Sequence, residues 1–423
     1  MLKLFNSPES FLQVQSTKMD TDEAVAEQVR KIIVKVQSEG DAALRFYTHK
    51  FDGVAVQNFR TPQEKITAAG NSLPDELRQI FSEAVDNVHA FHQKQLPVSW
   101  NDKSEDGTEL GLRFTPIASV GIYVPGGTAA YPSTVIMTAV PAQIAAVPQI
   151  ALVSPPDRNG CVNPLVLAVA NLLGIRDVFA VGGAQAIAAL TYGTDTIPKV
   201  DKIIGPGNAF VNEAKRQVFG LVGIDALAGP TELVILADES APPEWVVRDL
   251  CAQAEHDVAA RVILISTSRL LIQEVNNILQ AYISKVKRND ILQQSLRDHG
   301  AAIVLKEIQE AYELINKIAP EHLEIMTKNP EHNFSHIQNA GAIFLGKYSP
   351  AVVGDYFAGS NHVLPTGRNA RFESPLSVWD FMKFSSIVKY SKSRFKKDVR
   401  KIARFAELEN LFNHQAAMEC RNE

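Results

Sequence analysis

Hydrophobic positions recur at helical spacing over roughly the first hundred residues. Ala24, Val25, Val29, Ile32, Ile33 and Val36 mark one face of a helix predicted from Asp22 to Gly40. A second helix is predicted from Pro74 to Gln93. It opens on Pro74-Asp75-Glu76, with carboxylates where a helix N-terminus favours negative charge. A polar, turn-rich run from Asn101 to Gly107 then predicts a hairpin loop.

From Pro116 the pattern changes. Short β-branched runs, several ending in glycine, alternate with alanine-rich stretches. Strands are predicted at Ser119–Val124, Ile150–Val153, Val178–Val181, Lys202–Ile204 and Leu233–Leu236. Between them helices are predicted at Ser133–Ala146 (kinked at Pro141), Pro164–Leu173, Ala184–Leu190 and Ala209–Phe219. This alternation predicts an α/β fold, a mostly parallel sheet with helices on both faces. A further helix, Pro242–His256, leads into a strand at Arg261–Ile265. The stretch from Pro375 to Glu423 turns helical and polar and reads as an appended arm.

One apolar stretch, Val135 to Val153, raises the question of a membrane span. Pro141 and Pro148 interrupt it, and Gln143 and Gln149 would each strand an amide in lipid, so a buried helix followed by a buried strand is the better reading. With 423 residues, 46% of them hydrophobic, the chain is long enough for more than one core. A net charge of only -5 gives no global field to recruit nucleic acid or an anionic membrane. Cys161, Cys251 and Cys420 are odd in number and far apart. They form neither a disulfide framework nor a CxxC clip, which suits a reducing cytoplasm, and the N-terminus has no signal-peptide pattern.

The Pro242–His256 helix carries the first chemical signal. Val246, Leu250 and Gln253 share one stripe, with His256 at its flank. Gln253 and His256, three apart, can reach one cation, and the C-terminal end of a helix carries partial negative charge that helps hold it. On spacing alone, a hydrogen-bonded core histidine is the better reading. In Pro320-Glu321-His322-Leu323 two proton-transfer groups sit side by side after a proline. A helix start that uses Glu321 and leaves His322 idle fits that segment equally well. Gly354 to His362 reads as a loop in which Asp355 is either a hard oxygen ligand or the head of an ordinary Asx-turn. Three glycine-bearing loops follow strands: Pro125-Gly126-Gly127, Gly182-Gly183-Ala184-Gln185 and Gly205-Pro206-Gly207-Asn208. They permit close approach to a phosphate, yet none is G-x-G-x-x-G. The basic residues from Lys389 to Arg404 accompany an apolar helical stripe, Phe395, Val399, Ile402 and Phe405, and read as a solvated face rather than a nucleic-acid patch. Cys251, mid-helix without an activating partner, is no nucleophile.

Taken in chain order, these segments resemble the histidinol dehydrogenase family over nearly the whole length. The resemblance rests on Val120 to Ala146, Gly182 to Ala186, Gly205 to Ala209, Gln253-Ala254-Glu255-His256, Pro320 to Leu323 and Asn361-His362-Val363-Leu364-Pro365-Thr366. It implies two Rossmann-like domains akin to the aldehyde dehydrogenase fold, residues 117–232 forming one and residues 21–116 with 233–374 the other. Residues 1–20 would be an N-terminal segment, and residues 375–423 an arm exchanged between the subunits of a homodimer with shared active sites.

The resemblance further implies a zinc ion, with manganese as a substitute, held by Gln253, His256, Asp355 and His414. Glu321 and His322 would be the acid–base pair, Tyr123, Gln185 and Asn208 would contact NAD, and Thr231, Glu409 and His414 would join His322 and the metal ligands around L-histidinol. The implied reaction is oxidation to L-histidine through the aldehyde with two NAD. Thr231 stands where serine is common in the family, with the hydroxyl kept, and Arg368-Asn369 departs from the smaller residues expected there. His362 is given no role. A dehydrogenase of another small amino alcohol or diol on the same scaffold is the nearest rival, against which Glu409 and His414 speak. A silent metal-binding scaffold is the other, against which Glu321-His322 speaks.

Overall fold

Fourteen strands organise the described residues, which in this computed structural model are 1–14, 23–126, 130–286 and 289–421. Asp22, at the start of the first predicted helix, and Gly127 lie outside them. In chain order the strands are β1 (Lys3–Phe5), β2 (Trp100–Lys103), β3 (Glu109–Pro116), β4 (Ser119–Tyr123), β5 (Gln149–Ser154), β6 (Asp177–Ala180) and β7 (Lys202–Ile204). There follow β8 (Gly223–Ile224), β9 (Glu232–Ala237), β10 (Arg261–Ser266), β11 (Ala301–Val304), β12 (His322–Met326), β13 (Ala342–Leu345) and β14 (Met382–Lys389).

Two sheets are parallel throughout, as the alternation predicts. One has the order β6-β5-β4-β7-β8, the other β1-β11-β10-β9-β12-β13. Their central strands are buried from end to end (β4, β9 and β12), because crossover helices cover both faces. The predicted strands are found within a residue or two of their expected ends. The helix over Pro132–Ile144 runs through Pro141 without a break in its assignment.

Both sheets belong to one compact unit, residues 1–95 and 118–381, while residues 96–117 and 382–423 form a second. The second unit contains the antiparallel sheet β14-β3-β2 and the helices Lys392–Leu408 and Phe412–Glu419. Here the sequence reading is corrected, since a purely helical arm was expected and Met382–Lys389 is a strand. Its eight residues pair with all of β3, and Phe384 lies opposite Phe114 with ring centroids 5.6 Å apart. Pairing with a strand some 270 positions away overrides a local pattern that carries little periodicity of its own.

Two further corrections bear on the site. The helix predicted to reach His256 spans Pro243–Ala254, so His256 stands just beyond its end. Asp355, predicted in a loop, lies on a short helix, Ala351–Tyr356. Gly354 permits that helix to lie against Phe344: a Cβ there would meet the ring at 2.6 Å.

Gly205 ends β7 under stricter constraint. Its φ of +117° excludes most side chains, and a Cβ would meet the Tyr123 carbonyl oxygen at 2.1 Å. Its N–H donates to Asp225 Oδ2 at 2.7 Å and its carbonyl accepts from Lys215 Nζ at 3.1 Å, the two side chains forming a buried ion pair. Gly205→Ala is expected to destabilise the chain by about 1–3 kcal/mol, read as a lower urea midpoint at unchanged m-value.

Candidate active site

Parallel pairing of β9 with β12 sets His322 opposite Leu233, which brings Thr231-Glu232 alongside Glu321-His322 at the amino edge of the six-stranded sheet. The helix Ile308–Ile318 ends on Ala319 in the left-handed conformation, and Pro320 then turns the chain into β12. Glu321 is therefore a link residue and His322 the first residue of a strand, not the start of a helix.

The side chains form a directed network. Thr231 Oγ1 donates to Glu321 Oε2 at 2.7 Å, and the Glu232 backbone N–H donates to the same oxygen at 2.8 Å. Because the Thr231 proton is committed to Glu321, its oxygen accepts from Gln253 Nε2. The Gln253 amide is thereby oriented with its carbonyl oxygen turned away from Thr231. His322 Nδ1 donates to the Glu232 carbonyl at 3.1 Å, and its ring stacks on Phe344 with centroids 6.2 Å apart. That bond leaves the lone pair of a neutral imidazole at Nε2. Nε2 is buried without a hydrogen-bond partner, 3.7 Å from Asp355 Oδ1.

Charges shape the pocket. Burial alone would push His322 down, but the carboxylates of Glu321 and Asp355 outweigh it and raise the imidazole to about 10. Burial likewise opposes ionisation of Asp355, yet His322, His362 and His256 together draw it below the usual carboxylate range. His362, half-buried, binds the Asp355 carbonyl through Nδ1 at 3.0 Å, and burial depresses its pKa. Glu232 is pushed up to about 7, chiefly by burial, against the opposing charge of Arg261 3.2 Å away.

His256 stands near enough to Asp355 for its charge to act on that carboxylate, and Gln253 joins the neighbouring network through Thr231. Among the described residues no group of three His, Cys, Asp or Glu side chains is set to hold a metal; the ligand set that the family resemblance implies includes the Gln253 amide, which such a group leaves out. Nitrogen and oxygen donors without thiolate suit zinc or manganese, and three of them leave a tetrahedral ion one ligand short. Glu409 and His414, the other two residues expected here, belong to the second unit. Glu409 caps the Lys392–Leu408 helix, His414 lies on the next one, and both line an apolar concavity of about 790 Å³ on that unit.

The residues expected to contact the dinucleotide meet elsewhere, in a cavity of about 380 Å³ lined by Tyr123, Pro125, Pro155, Gln185, Asn208 and Phe51 among others. It opens at the carboxyl ends of β4 to β7, where the strand order of the five-stranded sheet reverses. Tyr123 Oη accepts from the Gly183 N–H at 3.1 Å, and burial raises this phenol to about 12. Gln185 is buried with Oε1 unpartnered, an acceptor left over within the cavity lining. Asn208 has a second task that the sequence reading missed: its Oδ1 caps the Ala209–Val218 helix, accepting from Phe210 and Val211.

Three more acidic residues escaped the sequence reading: Glu232, Asp249 and Glu324. Glu324 is two residues beyond His322 on a strand and Asp249 one turn before Gln253 on a helix, so the two periodicities carried the signal. Cys251 is buried, its thiol pushed up to about 12, in keeping with an inert role.

Comparison with known proteins points to one family. The sequence model of histidinol dehydrogenase matches residues 15–422. The chain is 48% identical over 409 residues to the histidinol dehydrogenase of Bacillus subtilis (strain 168), with 96% of each chain covered. It is 48% identical over 395 residues to that of Geobacillus kaustophilus (strain HTA426), with 93% of each covered. A crystal structure of histidinol dehydrogenase from Elizabethkingia anophelis matches with a TM-score of 0.94 at 36% identity, covering 99% of this chain and 98% of that one.

Thr231→Val keeps the shape but removes a donor and an acceptor at once. It is expected to weaken divalent-cation retention and turnover, each by tenfold or more, since an unpaired buried polar group costs about 1–3 kcal/mol. Thr231→Ser is expected to stay near the parent. Dialysis against a chelator and initial rates read the two quantities.

Proposed function

The chain belongs to the histidinol dehydrogenase family, and from that premise we propose how its residues oxidise L-histidinol to L-histidine with two molecules of NAD. The observation that carries the reading is the single network running from Gln253 through Thr231 and Glu321, beside His322 and Asp355. A cation held by Asp355 would counter one of the two charges that raise His322 and so favour the neutral imidazole, whose Nε2 takes the hydroxyl proton as hydride leaves the hydroxymethyl carbon for the first NAD, giving the aldehyde. Glu321, its Oε2 held by two donors, uses Oε1 to draw a proton from water as it adds to the aldehyde, while His322 returns its proton from Nε2 to the former carbonyl oxygen, which completes the hydrate and resets the imidazole. His322 then takes the hydrate proton as the second hydride leaves, and the product is the carboxylate. Adjacency of the two bases in the chain keeps both at the same carbon.

Gln253, His256 and Asp355 would hold the zinc together with His414 of a second copy of the chain. The ion would orient the amino alcohol, leaving proton transfer to the protein. Tyr123, Gln185 and Asn208 receive the dinucleotide, and the unpartnered Gln185 oxygen supports that assignment. Thr231, Glu409 and His414 complete the substrate contacts. The arm is exchanged in a homodimer, a reading supported by the missing fourth ligand and by the exposure of Glu409 and His414 on the second unit. The cytoplasm is the proposed location. Its support is three cysteines without a disulfide, and among the described residues no helix is long and apolar enough to cross a membrane.

The assay is NADH formed per L-histidinol, with and without chelator. About two per substrate is expected, because each hydride needs its own nicotinamide, while a yield near one would point to a simpler amino alcohol dehydrogenase. His322→Asn is expected to abolish turnover with bound zinc unchanged, and loss of zinc along with activity would refute its role as a base. Mixing His322→Asn with His414→Asn subunits should restore part of the activity, since one intact shared site forms per mixed dimer. Verified mixed dimers without activity would count against the exchanged arm.

A further inference from the structure

Behind the network lies a carboxyl pair for which the reaction scheme has no use. Glu324 sits on β12 two residues past His322, so both project from the same face of the sheet. It is only 1% exposed. Oε1 accepts from the backbone N–H of Ala351 at 2.7 Å, at the first residue of the helix that carries Asp355. Oε2 has no donor, and the Asp249 carboxyl, on the helix that carries Gln253, lies in hydrogen-bonding reach of the Glu324 carboxyl. Two carboxyl groups in such contact are stable only with a proton between them. Burial first, then the neighbouring charge of Asp249, pushes Glu324 above the usual carboxylate range, and burial raises Asp249 as well. A proton held between the two carboxyl groups gives the orphaned oxygen its partner.

The three elements joined at this point are the three that bear the site. β12 follows Glu321 and opens with His322, the Pro243–Ala254 helix brings Gln253 and His256, and the Ala351–Tyr356 helix brings Asp355. We propose that Asp249 and Glu324 are positioning residues for the dehydrogenase reaction: hydrogen-bonded to each other and to Ala351 N–H, they hold the ligand-bearing helices in register with His322. The inference rests on the assignment of those ligands. Neither carboxyl touches the reacting atoms. The pair acts by fixing where Asp355 stands relative to Gln253, and outer supports of metal ligands are typically worth about 10–100-fold in affinity or activity.

The test compares Glu324→Gln with Glu324→Leu in the full-length protein. Glutamine keeps an acceptor for Ala351 and offers a donor to Asp249, whereas leucine fills the space and breaks both bonds. Glu324→Leu is expected to lose zinc to a chromogenic chelator about 10–100-fold more readily and to lose kcat with little change in KM for NAD. In the metal-free protein, hydrogen exchange at the Ala351 amide should quicken. Glu324→Gln should restore all three readouts to within about threefold, a span of less than 1 kcal/mol.

A folded Glu324→Leu protein with parental zinc retention and exchange overturns the proposal. So does a Glu324→Gln protein as impaired as the leucine variant, because the carboxyl itself would then be at work. If Glu324→Leu does not fold, Asp249→Ala severs the link at its more accessible end, and unchanged zinc retention there overturns the proposal equally. Gln253→Ala separates this claim from the ligand assignment beneath it. If Gln253→Ala retains zinc, the assignment fails; if it loses zinc and Glu324→Leu does not, only the positioning pair fails.

Discussion

A single hydroxyl hydrogen, that of Thr231, settles the orientation of the groups around it. It points to the Glu321 carboxylate, so the oxygen that carries it can only accept from Gln253. The amide must then present its nitrogen to Thr231 and its oxygen outward, where a cation can take it. One bond direction thus couples the placement of a base to the placement of a ligand. The parallel register of β9 and β12 makes this possible, because it sets Glu321 opposite Glu232, next to Thr231. Glu232 completes the frame with its backbone alone, its N–H on Glu321 and its carbonyl on His322.

The two working regions lie on opposite kinds of sheet edge, and electrostatics gives a reason. In a parallel sheet the crossover helices run against the strands, so helix N-termini collect at the carboxyl edge and C-termini at the amino edge. The cavity bounded by Tyr123, Gln185 and Asn208 faces helix N-termini, whose unpaired N–H groups favour an anionic diphosphate. Gln253 and His256 lie at a helix C-terminus, whose partial negative charge favours a cation. The same βα repeat therefore supplies sites of opposite preference.

Much of this was legible in the sequence. The alternation of β-branched runs with alanine-rich stretches contains the parallel sheets, because a strand buried on both faces must be continuously apolar. Weak local pairs such as Gln253/His256 gained meaning only in the company of the other motifs. What stayed hidden depends on distant partners. Strand β14 exists because β3 is there to pair with it. The helix holding Asp355 begins where Glu324 can receive the Ala351 N–H. Glu232 and Glu324 read as unremarkable strand residues, since burial and neighbouring charge, neither of them local properties, give them their character.

The anchoring of His322 has a consequence for timing. In the two-stage scheme one imidazole is loaded with a proton twice per turnover, so it must be unloaded in between. With Nδ1 tied to a backbone carbonyl and the ring flat against Phe344, it cannot swing outward to discharge. The proton has to depart through the same nitrogen by which it arrived, while the half-oxidised compound is still enclosed. In the proposed scheme the acceptor is the substrate's own oxygen, so hydration and the resetting of His322 are one event.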